Sequence, residues 1–158
     1  MEFIEPREEH IASLITLVKG VYLDKPDAMW YDHEPDEEEL AKMFREKLAL
    51  VRAWQAADAI AIEAGEVAGE CEIIKESDGI GVVGIIVRKE FRSRGIGKEL
   101  LLFAEKMAVS IGISTLRADV SASNKRAVEF FKRMGFRTVP AAAQPAGGRE
   151  TESLEKIL

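Results

Sequence analysis

The feature of this sequence that most constrains its fold is a basic segment with two glycines that joins an apolar run to an amphipathic stretch. Residues 80–87 are apolar or glycine, and residues 88–98 hold five cations against a single glutamate. Apolar side chains then recur at helical spacing from Leu100 onward, so the order is strand, loop and helix. Because a helix N-terminus presents unpaired N–H groups and the positive end of its dipole, the segment predicts a binding site for an anion such as a diphosphate.

The spacing of the glycines separates three kinds of phosphate-binding turn. A P-loop requires glycine where Arg92 stands and serine or threonine at Glu99, so the sequence fails that pattern twice. A dinucleotide-binding fingerprint requires a third glycine at Leu100 and an acidic residue about 20 positions further on. Asp119 lies near that distance but inside a strand pattern, which makes a nicotinamide-dependent enzyme the weaker interpretation. The pattern that remains is Arg-x-x-Gly-x-Gly.

Composition limits the class of protein. A chain of 158 residues with 47% hydrophobic and 32% charged residues is typical of one globular domain, here residues 1–158. It has neither a run of about 18 uncharged apolar residues nor an N-terminal export signal, so we expect a cytoplasmic protein with no membrane partner. The net charge of −6 disfavours nucleic acid as a partner. Cys71 is the only cysteine and predicts a buried thiol, and the isolated His10 and His33 predict no metal site.

Negative charge is concentrated in residues 24–39, which contain eight acidic residues and one lysine. Together with the basic residues 88–98, this distribution suits an anionic cofactor at one end of the domain and a cationic substrate at the other. The interpretation that we favour is a solvated helix start, because carboxylates stabilise the first turn of a helix.

Hydrophobic periodicity predicts alternating helices and strands along the whole chain. Helices are predicted at residues 8–22, after Asp36 as N-cap, at residues 97–111, and from Ser123 or Asn124 to Gly135. This mixed order predicts an α/β fold, a single domain with a central sheet and about four flanking helices. The predicted strands are residues 3–5, 59–63, 67–74, 80–87, 116–120, 136–139 and 150–158, the last two joined by a segment rich in alanine, proline and glycine.

Two motifs resemble those of the GNAT superfamily of N-acetyltransferases. Arg92-x-x-Gly95-x-Gly97 is similar to the acyl-CoA pyrophosphate loop of that family. Asn124-x-x-Ala127-x-x-Phe130-Phe131-x-x-x-Gly135-Phe136 is similar to a later segment of the family, and residues 154–158 are similar to its closing strand. The two motifs cover about residues 81–139, and upstream of residue 60 only the order of elements is similar.

The resemblance implies a mixed, mostly antiparallel sheet whose fourth and fifth strands splay apart, with acetyl-CoA as cosubstrate. It implies that β-strand backbone groups pair with the pantetheine amides and that the loop holds the pyrophosphate, mainly through N–H groups. The residues expected to contact the cofactor are Ile85, Ile86, Val87, Arg92, Ser93, Arg94, Gly95, Ile96, Gly97, Lys98, Asn124, Phe130 and Phe131.

The reaction that the resemblance implies is direct attack of a neutral amine on the thioester carbonyl, with a strand N–H near Val87 stabilising the oxyanion. Many members of the family have tyrosine where this chain has Phe131, which cannot protonate the leaving thiolate. Such general-acid assistance is typically worth about 10²–10⁴-fold. In place of that tyrosine, Tyr22 or Tyr31 is a candidate acid.

The predicted strand at residues 80–87 carries no carboxylate, a common place for the base of the family. Glu70 and Glu72 are the candidate catalytic bases, because they share one face of the preceding strand. Each could instead be a solvent-facing edge carboxylate. Further candidates for the base are Asp119, His33 and Tyr31.

Two functions from different classes are therefore consistent with the sequence. The first is an acetyl-CoA-dependent N-acetyltransferase acting on an amine of a small molecule or protein, with a cationic acceptor favoured by the acidic segment. The second is a non-catalytic acyl-CoA binding or sensing domain of the same fold, which the Phe131 substitution favours. Because the family is often dimeric, a homodimer is one expected assembly.

Overall fold

The fold is given by a computed structural model, which describes residues 1–140 and 149–158. Strands and helices alternate along these residues, which confirms the predicted α/β class. The predicted connection between the last two strands comprises residues 140–149, of which residues 141–148 lie outside the described residues. In chain order the elements are β1 (Glu2–Ile4), α1 (Ile11–Asp24), α2 (Glu37–Arg52), β2 (Ala56–Glu63), β3 (Glu66–Ser77), β4 (Ile80–Val87), α3 (Ile96–Ser110), β5 (Thr115–Ser121), α4 (Lys125–Arg133), β6 (Arg137–Val139) and β7 (Thr151–Ile157).

The described strands form one sheet in the order β1-β2-β3-β4-β5-β7-β6. Each neighbouring pair is antiparallel except β4 and β5, which run parallel. These two strands pair only at residues 80–82 and 115–117. Residues 83–87 and 118–121 therefore separate, and the splay of the fourth and fifth strands is confirmed. A gap in the middle of a sheet exposes backbone groups that a ligand can use.

Alternating side chains of the central strands divide the core between the two faces of the sheet. Ala57, Ala59 and Ala61 of β2 lie in a buried cluster with α3, and their small side chains let that helix pack closely on the strand. Ile60 points the other way, into a cluster under α1 and α2. Cys71 lies on the α3 side, where burial raises the pKa of its thiol, so the predicted buried thiol is confirmed.

The acidic segment supplies a helix start, as the favoured interpretation predicted. The Asp36 carboxylate accepts a hydrogen bond from the Glu39 amide at 2.8 Å, and the Glu39 carboxylate accepts one from the Asp36 amide at 3.0 Å. This reciprocal pair is a capping box that begins α2. By contrast, α1 begins three residues later than predicted, because Glu8–His10 forms a 3₁₀ turn. None of the helices in the described residues is long and apolar enough to span a bilayer.

Candidate active site

Two cavities adjoin where β4 and β5 separate. The first, of about 510 Å³, lies between the end of β4, the start of α3 and α4. The second, of about 360 Å³, lies between β3, β4 and β5 on one side and α1, α2 and the loop between them on the other. Five residues line both cavities; they come from the connection between α1 and α2, from β4 and from the start of α4, and they are Ala28, Ile85, Ile86, Asn124 and Ala127.

The N-terminus of α3 opens into the first cavity. Gly95 caps the helix with a φ of +80°, a left-handed conformation that glycine adopts without strain. The Glu99 amide donates to the Gly95 carbonyl at 3.1 Å and so makes the first hydrogen bond of the helix. The amides of Ile96, Gly97 and Lys98 precede it and have no partner within the helix. Amides in this position, together with the helix dipole, form a local site for negative charge.

Cations line the first cavity, and its lining among the described residues contains no carboxylate. Two of these cations, Arg92 and Lys98, were predicted from the sequence, and the other three were not. Arg126 and Arg133 occupy positions that the second motif leaves unspecified, so their proximity to the motif could have indicated them. The lining cations are Lys25, Arg92, Lys98, Arg126 and Arg133.

Arg92 ties the basic loop to α1. Its Nε donates to the Val87 carbonyl at 2.9 Å, and its Nη1 donates to Asp24 Oδ2 at 2.6 Å. The guanidinium lowers the pKa of Asp24. The expectation that the acidic and basic segments occupy opposite ends of the domain is therefore wrong for Asp24, which lies against the loop. It also follows that the Val87 carbonyl already has a donor.

Two further contacts stabilise the basic loop, one with α4 and one within the loop itself. Arg126 donates from Nη2 to Ser93 Oγ at 2.9 Å, and Ser93 has a φ of +63°, which is uncommon for a residue with a side chain. Arg94 does not line either cavity; its guanidinium lies 5.4 Å from the centre of the Phe91 ring. Among the loop residues predicted to contact a cofactor, Arg94 is therefore the exception.

The second motif forms the start of α4. Asn124 is the N-cap, and its Oδ1 accepts a hydrogen bond from the Ala127 amide at 3.3 Å, which leaves its NH₂ group to donate to a ligand. Phe130 lines the first cavity and Phe131 lines the second. Phe131 is buried and meets Phe130 and Phe136 edge to face, with ring centres 5.3 and 5.0 Å apart.

A buried lysine organises the polar wall of the second cavity. Lys47 of α2 donates from Nζ to Glu70, and also to Glu72 Oε2 at 2.6 Å. The side chains of Lys47 and Glu70 are 5% and 6% exposed, whereas that of Glu72 is 35% exposed and reaches the cavity. The alternative that each glutamate is a solvent-facing edge carboxylate is therefore wrong for Glu70, which is buried, and neither glutamate lies at an edge, because β3 is an interior strand of the sheet. Sequence analysis missed Lys47, although it falls on the apolar face of its helix.

A third carboxyl lies behind this group. Asp58 Oδ2 is 3.8 Å from Lys47 Nζ, but neither Asp58 oxygen has a hydrogen-bond partner. Burial, together with the charge of Glu70, raises the pKa of Asp58 well above its ordinary value. Burial also raises the pKa of Glu70, against the effect of Lys47. One ammonium thus faces three carboxyl groups, of which Asp58 is the one most easily held neutral.

The other candidate acids and bases have different surroundings. Asp119 lines the second cavity but accepts hydrogen bonds from Arg117 and Ser153. Tyr31 also lines it, donates to Met43 Sδ at 3.3 Å, and has a pKa raised by burial. His33 is exposed, pairs with Asp32 and Glu39, and lines neither cavity, and Tyr22 is absent from both linings as well. No group of three or more metal-ligating side chains occurs within residues 1–140 and 149–158.

A sheet that opens between two parallel strands, with a cationic cavity on one side and a carboxylate-lined cavity on the other, is an architecture suited to group transfer between an anionic donor and a separate acceptor. The sequence matches the acetyltransferase (GNAT) family over residues 22–136, and the chain belongs to that family. The resemblance found in the two motifs is thereby confirmed. No curated protein is significantly similar to the chain in sequence.

Solved structures share the fold at low sequence identity. A ribosomal-protein-alanine N-acetyltransferase from Brucella melitensis superposes with a TM-score of 0.82 at 19% identity, covering 100% of both chains. A GNAT superfamily phosphinothricin acetyltransferase from Sinorhizobium meliloti, solved with acetyl-CoA, gives 0.81 at 17% identity over 99% of this chain and 88% of its own. A ribosomal L7/L12 alpha-N-protein acetyltransferase, solved with coenzyme A, gives 0.82 at 16% identity over 99% and 93%.

Proposed function

We propose that this protein is an acetyl-CoA-dependent N-acetyltransferase that moves an acetyl group directly from the thioester to an amine. The observation that carries the proposal is the opposite charge of two adjoining cavities. Five cations and no carboxylate line the first, whereas three carboxylates and a lysine already bonded to two of them line the second. An anionic donor in the first and a cationic acceptor in the second would meet at their shared wall. Family membership and the coenzyme-bound relatives support the identity of the donor.

The residues of the first cavity fit the diphosphate and pantetheine of coenzyme A. The amides of residues 96–98 and the surrounding guanidinium and ammonium groups would hold the phosphates. Residues 83–87 of β4 pair with β3 on one edge only, so Ile85 and Ile86 can offer backbone groups to the pantetheine amides. The Asn124 NH₂ group can donate to the same arm. Phe130 and Phe131 would line the thioester end, where the Val87 amide is the candidate donor to the developing oxyanion.

Glu72 is the base in this proposal. Both glutamates bonded to Lys47 line the second cavity, and Glu72 is the more exposed of the two, at 35% against 6%. An ammonium of ordinary pKa near 10 would transfer a proton to Glu72, since only the neutral nitrogen can attack. The new N–C bond then forms as the C–S bond breaks, and the nitrogen releases its second proton to water to give the neutral amide. Phe131 supplies no proton, so the sulfur leaves as a thiolate, which is stable because a thiol has a pKa near 8.5.

Gly84 explains how a base on β3 can act in place of one on β4. It pairs with Glu72 across the sheet, and a Cβ on Gly84 would lie 3.6 Å from both Cγ and Oε1 of Glu72. Cross-strand partners share one face of a sheet, so a carboxylate from either position reaches the same space. The absence of a side chain at Gly84 leaves that space to Glu72.

Release of free thiol from acetyl-CoA in the presence of an amine panel tests this proposal. We expect Glu72→Gln to lower kcat/KM by about 10²–10⁴-fold with an unchanged Kd for coenzyme A, the usual effect of removing a general base. Glu66→Gln is the matched control, because Glu66 is on the same strand but exposed and paired with Arg88. In the double variant Glu72→Gln/Gly84→Glu, a carboxylate again reaches the shared space, so part of the activity should return.

The competing function, a non-catalytic acyl-CoA sensor, predicts a different result. Such a domain would bind coenzyme A tightly and release no thiol with any amine. That outcome, or a Glu72→Gln variant as active as the Glu66→Gln control, would contradict the proposal.

A further inference from the structure

The charges of the second cavity restrict the acceptor. Among the described residues, Lys47 is the only cation that lines this cavity, and its ammonium donates hydrogen bonds to Glu70 and Glu72. Asp119 is already bonded to Arg117 and Ser153. Lys47 can neutralise at most one of the two glutamates, so this wall has capacity for one further positive charge. An acceptor ammonium meets that requirement, and an acceptor carboxylate opposes it.

No other described cation is placed to receive a carboxylate in this cavity. Arg117 is already bonded to Asp119 and Glu76, and Arg149 donates from Nη1 to the carbonyl of Met29, a lining residue, at 2.7 Å. However, Arg149 does not line the cavity itself, and its guanidinium lies 5.5 Å from the centre of the Trp30 ring. Residues 141–148 contain neither lysine nor arginine in the sequence. A carboxylate carried by the acceptor would therefore lack a partner.

Most of the remaining wall is apolar, apart from polar groups such as those of Tyr31, Ser121 and Asn124, and the volume of the cavity is small. It is formed by side chains from α1, the following loop, α2, β4 and α4, and Gly84 adds no side chain at its centre. The volume of about 360 Å³ is at the lower end of the range for small-molecule sites. The principal apolar lining residues are Val18, Met29, Met43, Val83, Ile86 and Phe131.

We propose that the acceptor is a primary amine on a compact apolar body, with no carboxylate on the carbon that bears the nitrogen. This inference rests on the proposed function and narrows it, because it excludes free amino acids as good substrates. The ammonium faces Glu72, and the apolar body fills the space over Gly84 between α1, α2 and β4. The source of selectivity is thus the Lys47–Glu70–Glu72 group rather than the acidic residues 24–39, whose helix-start portion lies on the surface.

Matched pairs of amines test this inference by isolating the carboxylate. The pairs are 2-phenylethylamine against phenylalanine and pentylamine against norleucine, each measured as thiol release at saturating acetyl-CoA. We expect kcat/KM to be at least about 100-fold higher for the member without the carboxylate, because a buried charge without a partner costs about two orders of magnitude or more in binding. Spermidine and an alanine-terminated peptide complete the panel.

A variant tests the position of the apolar body. A side chain at Gly84 would project into the cavity without a steric clash, since the nearest atoms to its Cβ are 3.6 Å away. We expect Gly84→Val to lower kcat/KM for 2-phenylethylamine by at least about tenfold more than for methylamine, because overpacking excludes bulk, whereas any effect of the valine on Glu72 is common to both amines. Its Kd for coenzyme A should equal that of the wild type.

The outcomes separate this inference from the proposed function. Preference for an amino acid, spermidine or the peptide would overturn the acceptor class and leave the acetyltransferase proposal intact. Equal loss for both amines in Gly84→Val would overturn the placement of the apolar body. Absence of thiol release with every amine would overturn both.

Discussion

The perturbation that best tests the buried polar group is Lys47→Met, which keeps a similar apolar stem but removes the ammonium. Lys47 is 95% buried and bonded to two carboxylates, so the variant leaves Glu70 buried without a counter-charge. Breaking a buried ion pair in this way costs about 3–5 kcal/mol in the free energy of unfolding. With an unfolding entropy of about 2.1 cal/mol/K per residue over 158 residues, that loss lowers Tm by about 9–15 °C.

The pH dependence of the loss follows from the direction of the Glu70 pKa. Burial raises the pKa of Glu70 even in the presence of Lys47, and removal of the ammonium raises it further. Between the unfolded pKa near 4.3 and the raised folded pKa, the folded state binds a proton that the unfolded state has released. Stability therefore falls as pH rises through this window. The difference between variant and wild type should be small near pH 4 and should grow toward pH 8.

Thermal unfolding followed by circular dichroism at several pH values measures this effect. Lys42→Met is the matched control, because Lys42 is exposed on the same helix, and it should change Tm by about 1–2 °C at most. In the double variant Lys47→Met/Glu70→Gln, which removes the uncompensated charge, we expect recovery of at least half of the lost Tm. A Tm for Lys47→Met that equals the control, or a loss that is the same at pH 4 and pH 8, would refute the reasoning.

Three further predictions concern the same cavities. In thermal unfolding, Asp58→Asn should have a higher Tm than the wild type, and the difference should increase from pH 4.5 to pH 8. Because the pKa of Asp58 is raised in the folded state, the wild type loses stability as the pH rises; a constant difference in Tm would contradict this prediction. In calorimetric titrations, Gly97→Asp should raise the Kd for coenzyme A by about tenfold or more, since it puts a carboxylate among the α3 amides, whereas the exposed control Gly20→Asp should not. Arg126→Ala should raise that Kd by about tenfold and Arg94→Ala by less than about threefold, because only Arg126 lines the cavity; equal effects would reject this assignment.

Local pattern was sufficient for most of the fold. Each predicted strand and helix has a counterpart, and errors at element ends are a few residues, as with α1, where three residues form a 3₁₀ turn instead. The loop glycines and the Asn124 cap were identifiable because their roles depend on backbone geometry within a few residues. The extent of β3 was underestimated, since it runs to Ser77, three residues beyond the predicted end, whereas β6 and β7 are slightly shorter than predicted.

Long-range charge pairing was not predictable in the same way. The Arg92–Asp24 bond joins residues 68 positions apart, and the Lys47–Glu70 bond joins residues 23 apart. Periodicity does indicate that Lys47 belongs to the apolar face of α2, three positions after Phe44, and that Asp58 interrupts an apolar strand. Each is a buried charged residue in need of a partner. Their partners, however, depend on how α2 crosses the sheet, which no local pattern determines.

In the proposed mechanism the base lies on β3 rather than on β4, and this position sets two conditions on the surrounding residues. A base on β3 can act only if the neighbouring strand β4 leaves the space beside it open. The base must also be held in one position next to its buried neighbours. Gly84 meets the first condition and the Lys47 ammonium meets the second, since it bonds Glu72 and Glu70 together. Neither residue alone would be sufficient, because without Lys47 no ammonium would hold the Glu72 carboxylate in position, and Glu70 would be buried without a counter-charge. The proposed base Glu72, Lys47 and Gly84 are therefore best understood as one unit distributed over α2, β3 and β4.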